Sequence, residues 1–183
     1  KLISGINYKY PEHIRAKIFQ LFSGDATIKD VCQMNFAIGH CFAEACKVLI
    51  SEHQKPDFIA SHGQTVFHYP FDEVLDGISL KSTLQIGEIS VIAKETGCMV
   101  ISNFREKDIA FGGQGAPLVC FADDKGFKNA LVQNIGGISN VTVISDDCET
   151  YGFDNGCGNI MIDYCMQKFF NKKYDEDGEI ASQ

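Results

Sequence analysis

The stretch from Ile101 to Val119, ISNFREKDIAFGGQGAPLV, decides how the chain is interpreted. It opens like a buried strand, continues with four charged residues at positions 105–108, and then places three glycines at positions 112–115. A simple turn needs only one or two glycines, since each relieves a conformational restriction at one position. The surplus indicates a carboxylate held at the mouth of a cavity, with room for a ligand to approach.

The segments before this stretch alternate between strand and helix. Apolar residues recur every three or four positions from 28 to 52, which predicts a long helix, and residues 11–21 predict a shorter one. Short apolar strands are predicted at 57–60, up to Ile86 and at 98–102, with a helix at 89–96 that ends at Gly97. The fold class is therefore α/β, in which ligands gather where strands end.

After residue 127 the pattern changes. The segment ALVQNIGGISNVTVIS predicts two apolar strands joined by a turn at Gly136–Gly137, as in a hairpin. The segment YGFDNGCGNIMIDYCMQKFF predicts a strand, a glycine-rich turn and a helix. We therefore expect two domains, 1–127 and 128–183.

The composition excludes several classes of protein. The formal net charge is −8 and the basic residues are not clustered, so nucleic-acid binding is not expected. No apolar run is long enough to span a membrane, and no signal peptide is recognised. The eight cysteines lack the two-residue spacing of zinc and redox motifs, which favours reduced thiols in a cytoplasmic protein.

Asp108 is the strongest candidate for a catalytic group. Arg105 and Lys107 lie beside it in the sequence, and their positive charges favour its ionised form at neutral pH. An ionised carboxylate close to a water or a hydroxyl can act as a general base. The alternative is an exposed loop residue in a salt bridge, which leaves the following glycines unexplained.

The turn after the strand at 57–60 offers a second polar site. His62 is followed by Gly63 and Gln64, and hydrogen-bonding groups of this kind suit a sugar or another polyol. An isolated histidine such as His62 is, however, more often a hydrogen-bonded residue of the core than part of a binding site.

The remaining two turns have the chemistry of phosphate sites. Paired glycines at Gly136–Gly137 can bring backbone N–H groups to an anion, and Asn140 can add an amide donor, although a plain hairpin turn is the simpler interpretation. Asp154 precedes a glycine-rich turn and a helix. The helix N-terminus would be stabilised either by a bound phosphate or by Asp154 itself as a cap.

Taken together, the four turns resemble the anhydro-N-acetylmuramic acid kinase family, of the hexokinase–actin–Hsp70 superfamily. The matching segments are SHGQTVFHYP (61–70), STLQIGEISVIAKETGCMVISNFREKDIAFGGQGAPLV (82–119), NIGGISNVT (134–142) and GFDNGCGNIMIDYC (152–165). They occur in the order typical of the family and, with their spacers, cover most of the chain from about residue 57 onward.

The resemblance implies ribonuclease H-like, actin-like ATPase lobes, with 1–127 as the rear of a sugar-binding lobe and 128–183 as the start of a nucleotide-binding lobe. It implies a cytoplasmic kinase of peptidoglycan recycling that uses ATP and Mg²⁺. The reaction would convert 1,6-anhydro-N-acetylmuramic acid and water into N-acetylmuramic acid 6-phosphate. The partners would be this amino sugar and ATP, without nucleic acid or membrane, and the family's relatives are often homodimers.

The resemblance also assigns roles to residues. Asp108 matches the family's catalytic aspartate, the base that activates the water. The residues beside the sugar would be His62, Gly63, Gln64 and Arg105. The residues beside the nucleotide phosphates would be Gly136, Gly137, Asn140, Asp154, Gly156, Gly158 and Asn159. No residue of the chain is assigned to a metal.

The sequence departs from the family pattern in several places. Asn155 and Cys157 stand where the family usually has Thr and Pro, and Asn103 stands where it usually has Asp. The family's N-terminal Gly-Thr-Ser and Asp-Gly motif, which grips the ATP phosphates, does not occur in these residues. The chain therefore resembles part of such a kinase, and we expect it to lack turnover by itself.

Other functions fit the same residues. The main alternative is a non-catalytic sugar-binding protein or a degenerate member of the superfamily, which Asn155 and Cys157 favour. A different sugar kinase or an acetate-kinase-like phosphotransferase is a second alternative, and the segment FREKDIAFGGQGAP argues against it by analogy. A scaffold without a ligand is the least consistent with four polar turns.

Overall fold

The computed structural model describes residues 2–183, which form two compact units. The first unit ends at Gly115, and the second runs from Ala116 to Gln183. The first mixes helices with two small sheets, and the second is built on one three-stranded sheet. The protein has a mixed α/β structure, as the sequence predicts.

Two helices begin the first unit and supply most of its core. α1 (Glu12–Leu21) and α2 (Ile28–Glu52) occupy the two predicted helical segments. At the start of α2, the Thr27 hydroxyl accepts from the Asp30 N–H and the Asp30 carboxylate accepts from the Thr27 N–H. This reciprocal cap satisfies N–H groups that have no partner inside the helix. Ile18, Met34, Ile38 and Ile86 form a cluster of buried residues in this core.

A β-hairpin follows the first strand, β1 (Phe58–Ala60). Its strands, β2 (Gln64–Leu75) and β3 (Ile78–Ile86), pair antiparallel. From the sequence, only a turn at 61–65 and a strand ending at Ile86 are expected, so β2 and the start of β3 are not predicted. In the structure Pro70 lies in the register shift between Tyr69 and Glu73, where no regular ladder partner is required.

The polypeptide then crosses to a strand beside β1. α3 (Ile89–Thr96) ends at Gly97, whose φ of 65° is left-handed, as predicted for this C-cap. β4 (Met99–Ile101) pairs with β1 in parallel, and Ser61 N donates to Ile101 O over 2.8 Å. The carboxyl ends of two parallel strands therefore meet, which brings the segments after residues 60 and 101 together.

The segment after β4 is a helix and not the loop expected from the sequence. α4 (Phe104–Ala110) begins directly after Asn103, whose φ of 65° turns the chain abruptly out of the strand. Asparagine adopts this left-handed conformation more readily than most residues. With seven residues, α4 is too short to show the apolar periodicity that predicts a helix. The glycine-rich segment 111–115 follows it as a turn.

The second unit contains a sheet of antiparallel strands. After α5 (Cys120–Gly126) come β5 (Ala130–Ile135), β6 (Ile138–Ser145) and β7 (Cys148–Cys157), paired in chain order. The predicted hairpin at Gly136–Gly137 is confirmed. The sheet is followed by α6 (Asn159–Phe170) and a single 3₁₀ turn, Glu176–Gly178.

Helix α5 packs against the sheet of the second unit. The hydroxyl of Thr142, fully buried on β6, donates to the buried carboxylate of Asp123 over 2.6 Å. A Cβ at Gly152 on β7 would collide with Cys120 Sγ, so glycine permits this close approach. These contacts explain why the compact units divide after Gly115, earlier than the change of pattern near residue 127.

Two further properties concern the described part of the chain. Among residues 2–183, every helix is too short or too polar to cross a lipid bilayer. The eight cysteines are free thiols, and Cys98 is the buried one among them.

Candidate active site

Helix α4 directs two charged side chains at the backbone of one residue, Gly115. Arg105 and Asp108 are one turn apart and therefore lie on the same face. Asp108 Oδ2 accepts from the Gly115 N–H over 2.7 Å, and Arg105 Nη1 donates to the Gly115 carbonyl over 2.5 Å. The two side chains hold the end of the glycine-rich turn against the helix.

The glycines of this turn are required by close contacts. A Cβ added at Gly113 would collide with the Asp108 carboxylate, so only glycine fits beside it. Gly115 is buried with a φ of 73°, a conformation that residues with a side chain rarely adopt. The surplus of glycines in the sequence therefore fixes the position of the carboxylate.

Arg105 connects this turn to the segment that follows β1. Its Nε donates to His62 Nε2 over 2.8 Å, and His62 Nδ1 lies 2.9 Å from the Gly63 carbonyl. Because the arginine Nε always carries a proton, His62 Nε2 must be the acceptor. His62 is therefore neutral in this arrangement, with its proton on Nδ1 and donated to Gly63 O.

Gln64 is hydrogen-bonded to a residue of the N-terminal segment. The Tyr10 hydroxyl donates to Gln64 Oε1 over 3.3 Å, and the Tyr10 ring lies 6.1 Å from that of Phe42. Burial, with a smaller contribution from the charge on Cys41, raises the pKa of Tyr10 to about 12. Tyr10 was not identified from the sequence, and no motif around it marks this contact.

Glu106 extends the polar cluster towards the hairpin. With the Gln85 oxygen placed towards the hydroxyls of Thr65 and Thr83, the Gln85 amide nitrogen lies 3.2 and 3.3 Å from the two Glu106 oxygens. This orientation follows from the surrounding donors and acceptors. The contact links β3 to α4 and was not predicted.

In this arrangement one oxygen of the Asp108 carboxylate has no hydrogen-bond partner among residues 2–183 and is available to react. Asp108 is exposed, its Oδ2 is occupied by Gly115, and no residue among 2–183 hydrogen-bonds to its Oδ1. The site in the first unit therefore contains a fixed carboxylate with an accessible oxygen, next to an arginine–histidine pair. Such a group can accept a proton from a water or a hydroxyl.

The predicted phosphate turns of the second unit contact each other. The carbonyl of Gly136 accepts from the Asn159 N–H over 2.7 Å, and the Gly137 carbonyl accepts from Gly158 and Ile160 at 2.9 and 3.3 Å. A Cβ at Gly158 would collide with the Gly136 carbonyl. The hairpin thus caps the N-terminus of α6 with carbonyl groups, so fewer N–H groups at these positions remain for an anion.

Asp154 is not the cap of α6. It lies within β7, opposite Asn140, and the N-cap residue is Gly158, which has no side-chain hydrogen bond. The neighbouring Asn155 donates to Gln133 Oε1 over 2.9 Å and bridges the two outer strands of the sheet.

Asn140 contains an unsatisfied polar atom. Its Oδ1 is buried and has no hydrogen-bond partner in the described part of the chain. A buried acceptor without a donor is costly, and ligand hydroxyls or ordered waters commonly satisfy such atoms. No group of three or more metal-binding side chains occurs among residues 2–183.

Comparison with known proteins identifies a family for the chain. The family model for anhydro-N-acetylmuramic acid kinase matches residues 1–183. Proteins of that name from Bacillus cereus (strain AH820), Bacillus anthracis (strain A0248) and Bacillus thuringiensis (strain Al Hakam) are each 45% identical over 195 aligned positions. The alignments cover 100% of this chain and 50% of each relative, so the chain spans about half their length. The chain belongs to the anhydro-N-acetylmuramic acid kinase family.

Proposed function

We propose that the complete protein phosphorylates 1,6-anhydro-N-acetylmuramic acid with ATP and water and yields N-acetylmuramic acid 6-phosphate. Family membership and the names of the relatives support a kinase for this sugar. The observation that carries the proposal is the fixed Asp108 carboxylate with a free Oδ1, beside Arg105 and His62. The role in peptidoglycan recycling and the cytoplasmic location follow from this substrate.

Asp108 acts as the general base in the proposed reaction. Oδ1 takes a proton from a water whose oxygen forms a bond to the anomeric carbon of the sugar. The bond between this carbon and the bridging oxygen on carbon 6 breaks, and that oxygen takes the γ-phosphoryl group while ADP leaves. A positioned base of this kind contributes roughly 10²- to 10⁴-fold in rate.

Arg105 and His62 position the base and the sugar. Arg105 fixes Gly115, which in turn fixes Asp108 Oδ2. The neutral His62 and the adjacent Gly63 and Gln64 present hydrogen-bonding groups at the end of β1, beside the carboxylate-bearing helix. The dense hydrogen bonding supports preorganisation, since each side chain is held by another before a ligand binds.

The nucleotide is proposed to bind the second unit. Asn140, whose buried Oδ1 lacks a donor, would be one of the residues that hold the nucleotide. The remaining proposed contacts are Gly136, Gly137, Asp154, Gly156, Gly158 and Asn159. Mg²⁺ would enter with the phosphates and neutralise part of their charge. Because the carbonyls of Gly136 and Gly137 occupy the first N–H groups of α6, the side chains of Asn140, Asp154 and Asn159 would replace these N–H groups as donors and acceptors.

The fold supports the two-lobe arrangement of an actin-like ATPase. The first unit has parallel strands with a helical crossover, and the second begins with three antiparallel strands followed by a helix. We propose that they are parts of the sugar-binding and nucleotide-binding lobes. Since the chain spans about half of each relative, we expect residues 1–183 alone to lack turnover.

The proposal is tested with the complete protein, the anhydro sugar, ATP and ¹⁸O-labelled water. We expect ADP release coupled to one product, with the label on carbon 1 of the sugar and none on the phosphate. Tight binding of the sugar without ADP release would instead support the non-catalytic alternative, to which Asn155 and Cys157 point.

A further inference from the structure

Alternate residues of β3 form a polar face beside α4. Lys81, Thr83 and Gln85 are less exposed than the intervening Leu80, Ser82 and Leu84, as expected when successive side chains point to opposite sides of a strand. Gln85 contacts Glu106 near the start of α4, and Lys81 Nζ lies 3.5 Å from the carbonyl of Gly112, just after its end.

Lys81 lacks a charged partner in the described structure. Its ammonium forms no ion pair with a carboxylate of residues 2–183. It lines a cavity of about 380 Å³ together with Ile109, Gly112 and the hairpin residues Asp72, Ser79 and Leu80. The Asp72 carboxylate accepts a hydrogen bond from the Ser79 hydroxyl over 2.9 Å. An ammonium group beside a cavity can form a charge-assisted hydrogen bond to an anion, and this cavity leaves space for one.

Lys81 is close to the proposed base. Gly112, whose carbonyl contacts Lys81, is followed by Gly113, whose Cα lies against the Asp108 carboxylate. Bond lengths across one peptide limit the separation of Lys81 Nζ and Asp108 Oδ2 to at most about 10 Å. Because the two groups form no ion pair, the separation exceeds 4.0 Å. A single sugar ring with an acidic substituent is of a size that fits between Lys81 Nζ and Asp108 Oδ2 at such a separation.

We propose that Lys81 binds the carboxylate of the lactyl ether on the muramic acid ring and selects acidic amino sugars over neutral ones. This inference rests on the proposed function, which supplies an anionic substrate at Asp108. The ammonium donates a charge-assisted hydrogen bond to the carboxylate, while the rest of the ring faces the base. Lys81 is thus a specificity residue and takes no part in proton transfer.

The test compares two sugars with the complete protein. One is 1,6-anhydro-N-acetylmuramic acid, and the other is 1,6-anhydro-N-acetylglucosamine, which has a hydroxyl in place of the lactyl ether. Lys81→Met is expected to lower kcat/KM for the acidic sugar by about 10- to 100-fold and to leave the neutral sugar within about twofold. If turnover of the neutral sugar is too slow, its inhibition constant replaces kcat/KM.

Lys94→Met, at an exposed lysine of α3, is the matched control and should leave kcat/KM unchanged for both sugars. An equal loss for both sugars with Lys81→Met would overturn the inference, because it would mean that Lys81 only stabilises the end of α4. Unchanged kinetics for both sugars would overturn it as well. If the unmodified protein phosphorylates neither sugar, the proposed function itself fails, and this inference fails with it.

Discussion

The carboxylate of Asp108 lies directly against the Cα of Gly113, in the space that a side chain at that position would occupy. The same carboxylate accepts the N–H of Gly115, two residues further along the turn. Helix and turn are therefore built around one acidic group.

Gly113→Ala tests whether this position of the carboxylate matters. Gly113 is not in the left-handed region, so alanine adds a steric conflict with Asp108 and no backbone strain. We expect kcat of the complete enzyme to fall by at least about tenfold while the melting temperature changes little, because misplacement of a reacting group by 1 Å is costly. Gly126→Ala, where a Cβ meets open space, should retain full activity. Unchanged kcat in Gly113→Ala would contradict the assignment.

Arg105→Lys keeps the charge and removes the donor geometry. Lysine cannot reproduce the bonds from Nε to His62 and from Nη1 to Gly115 at the same time. We expect kcat/KM for the anhydro sugar to fall by about 10- to 100-fold, as for the loss of hydrogen bonds to a charged group. Arg15→Lys, on the exposed side of α1, serves as the control. Equal kinetics in the two variants would show that the Arg105 contacts are dispensable.

Several elements of the two units are predictable from the sequence. The apolar stripe of α2, the cap at Gly97 and the hairpin at Gly136–Gly137 each have a local cause in the residues themselves. Asp108 was identified because charges and glycines are concentrated around it.

Other features depend on contacts between distant residues. Tyr10 and Gln64 are 54 positions apart, and Gln85 and Glu106 meet only after the hairpin has folded onto α4. Strand β2 contains Pro70, which is confined to edge strands and irregular positions, and the register shift that accommodates it depends on pairing with β3. These contacts form only when distant segments pack together, so the local sequence pattern could not predict them.

Tyr10→Phe tests the burial of the Tyr10 hydroxyl through the pH dependence of stability. The unfolded chain loses the tyrosine proton near pH 10, whereas the folded protein retains it up to a pKa of about 12. The stability from Tyr10 is therefore present below pH 10 and is lost as the pH rises through 12. We expect the free energy of unfolding to fall less steeply between pH 10 and 12 in Tyr10→Phe. Identical slopes in denaturant titrations would contradict the burial of this hydroxyl.

Thr142→Val probes the contact that joins α5 to the second sheet. The substitution keeps the volume but leaves the buried Asp123 carboxylate without its donor. We expect a loss of about 1–3 kcal/mol in the free energy of unfolding, measured by urea denaturation. Thr150→Val, whose partner Asp124 is more exposed, should cost less. The reverse order of the two losses would contradict the account of how α5 is attached.

Asp108→Asn in the complete enzyme tests the central claim most directly. The amide retains an oxygen for the Gly115 N–H but cannot take a proton from water. The quantity to measure is kcat for ADP release with the anhydro sugar, together with the dissociation constant of that sugar. We expect kcat to fall by roughly 10²- to 10⁴-fold with binding almost unchanged. Turnover at the wild-type rate would show that Asp108 is not the base.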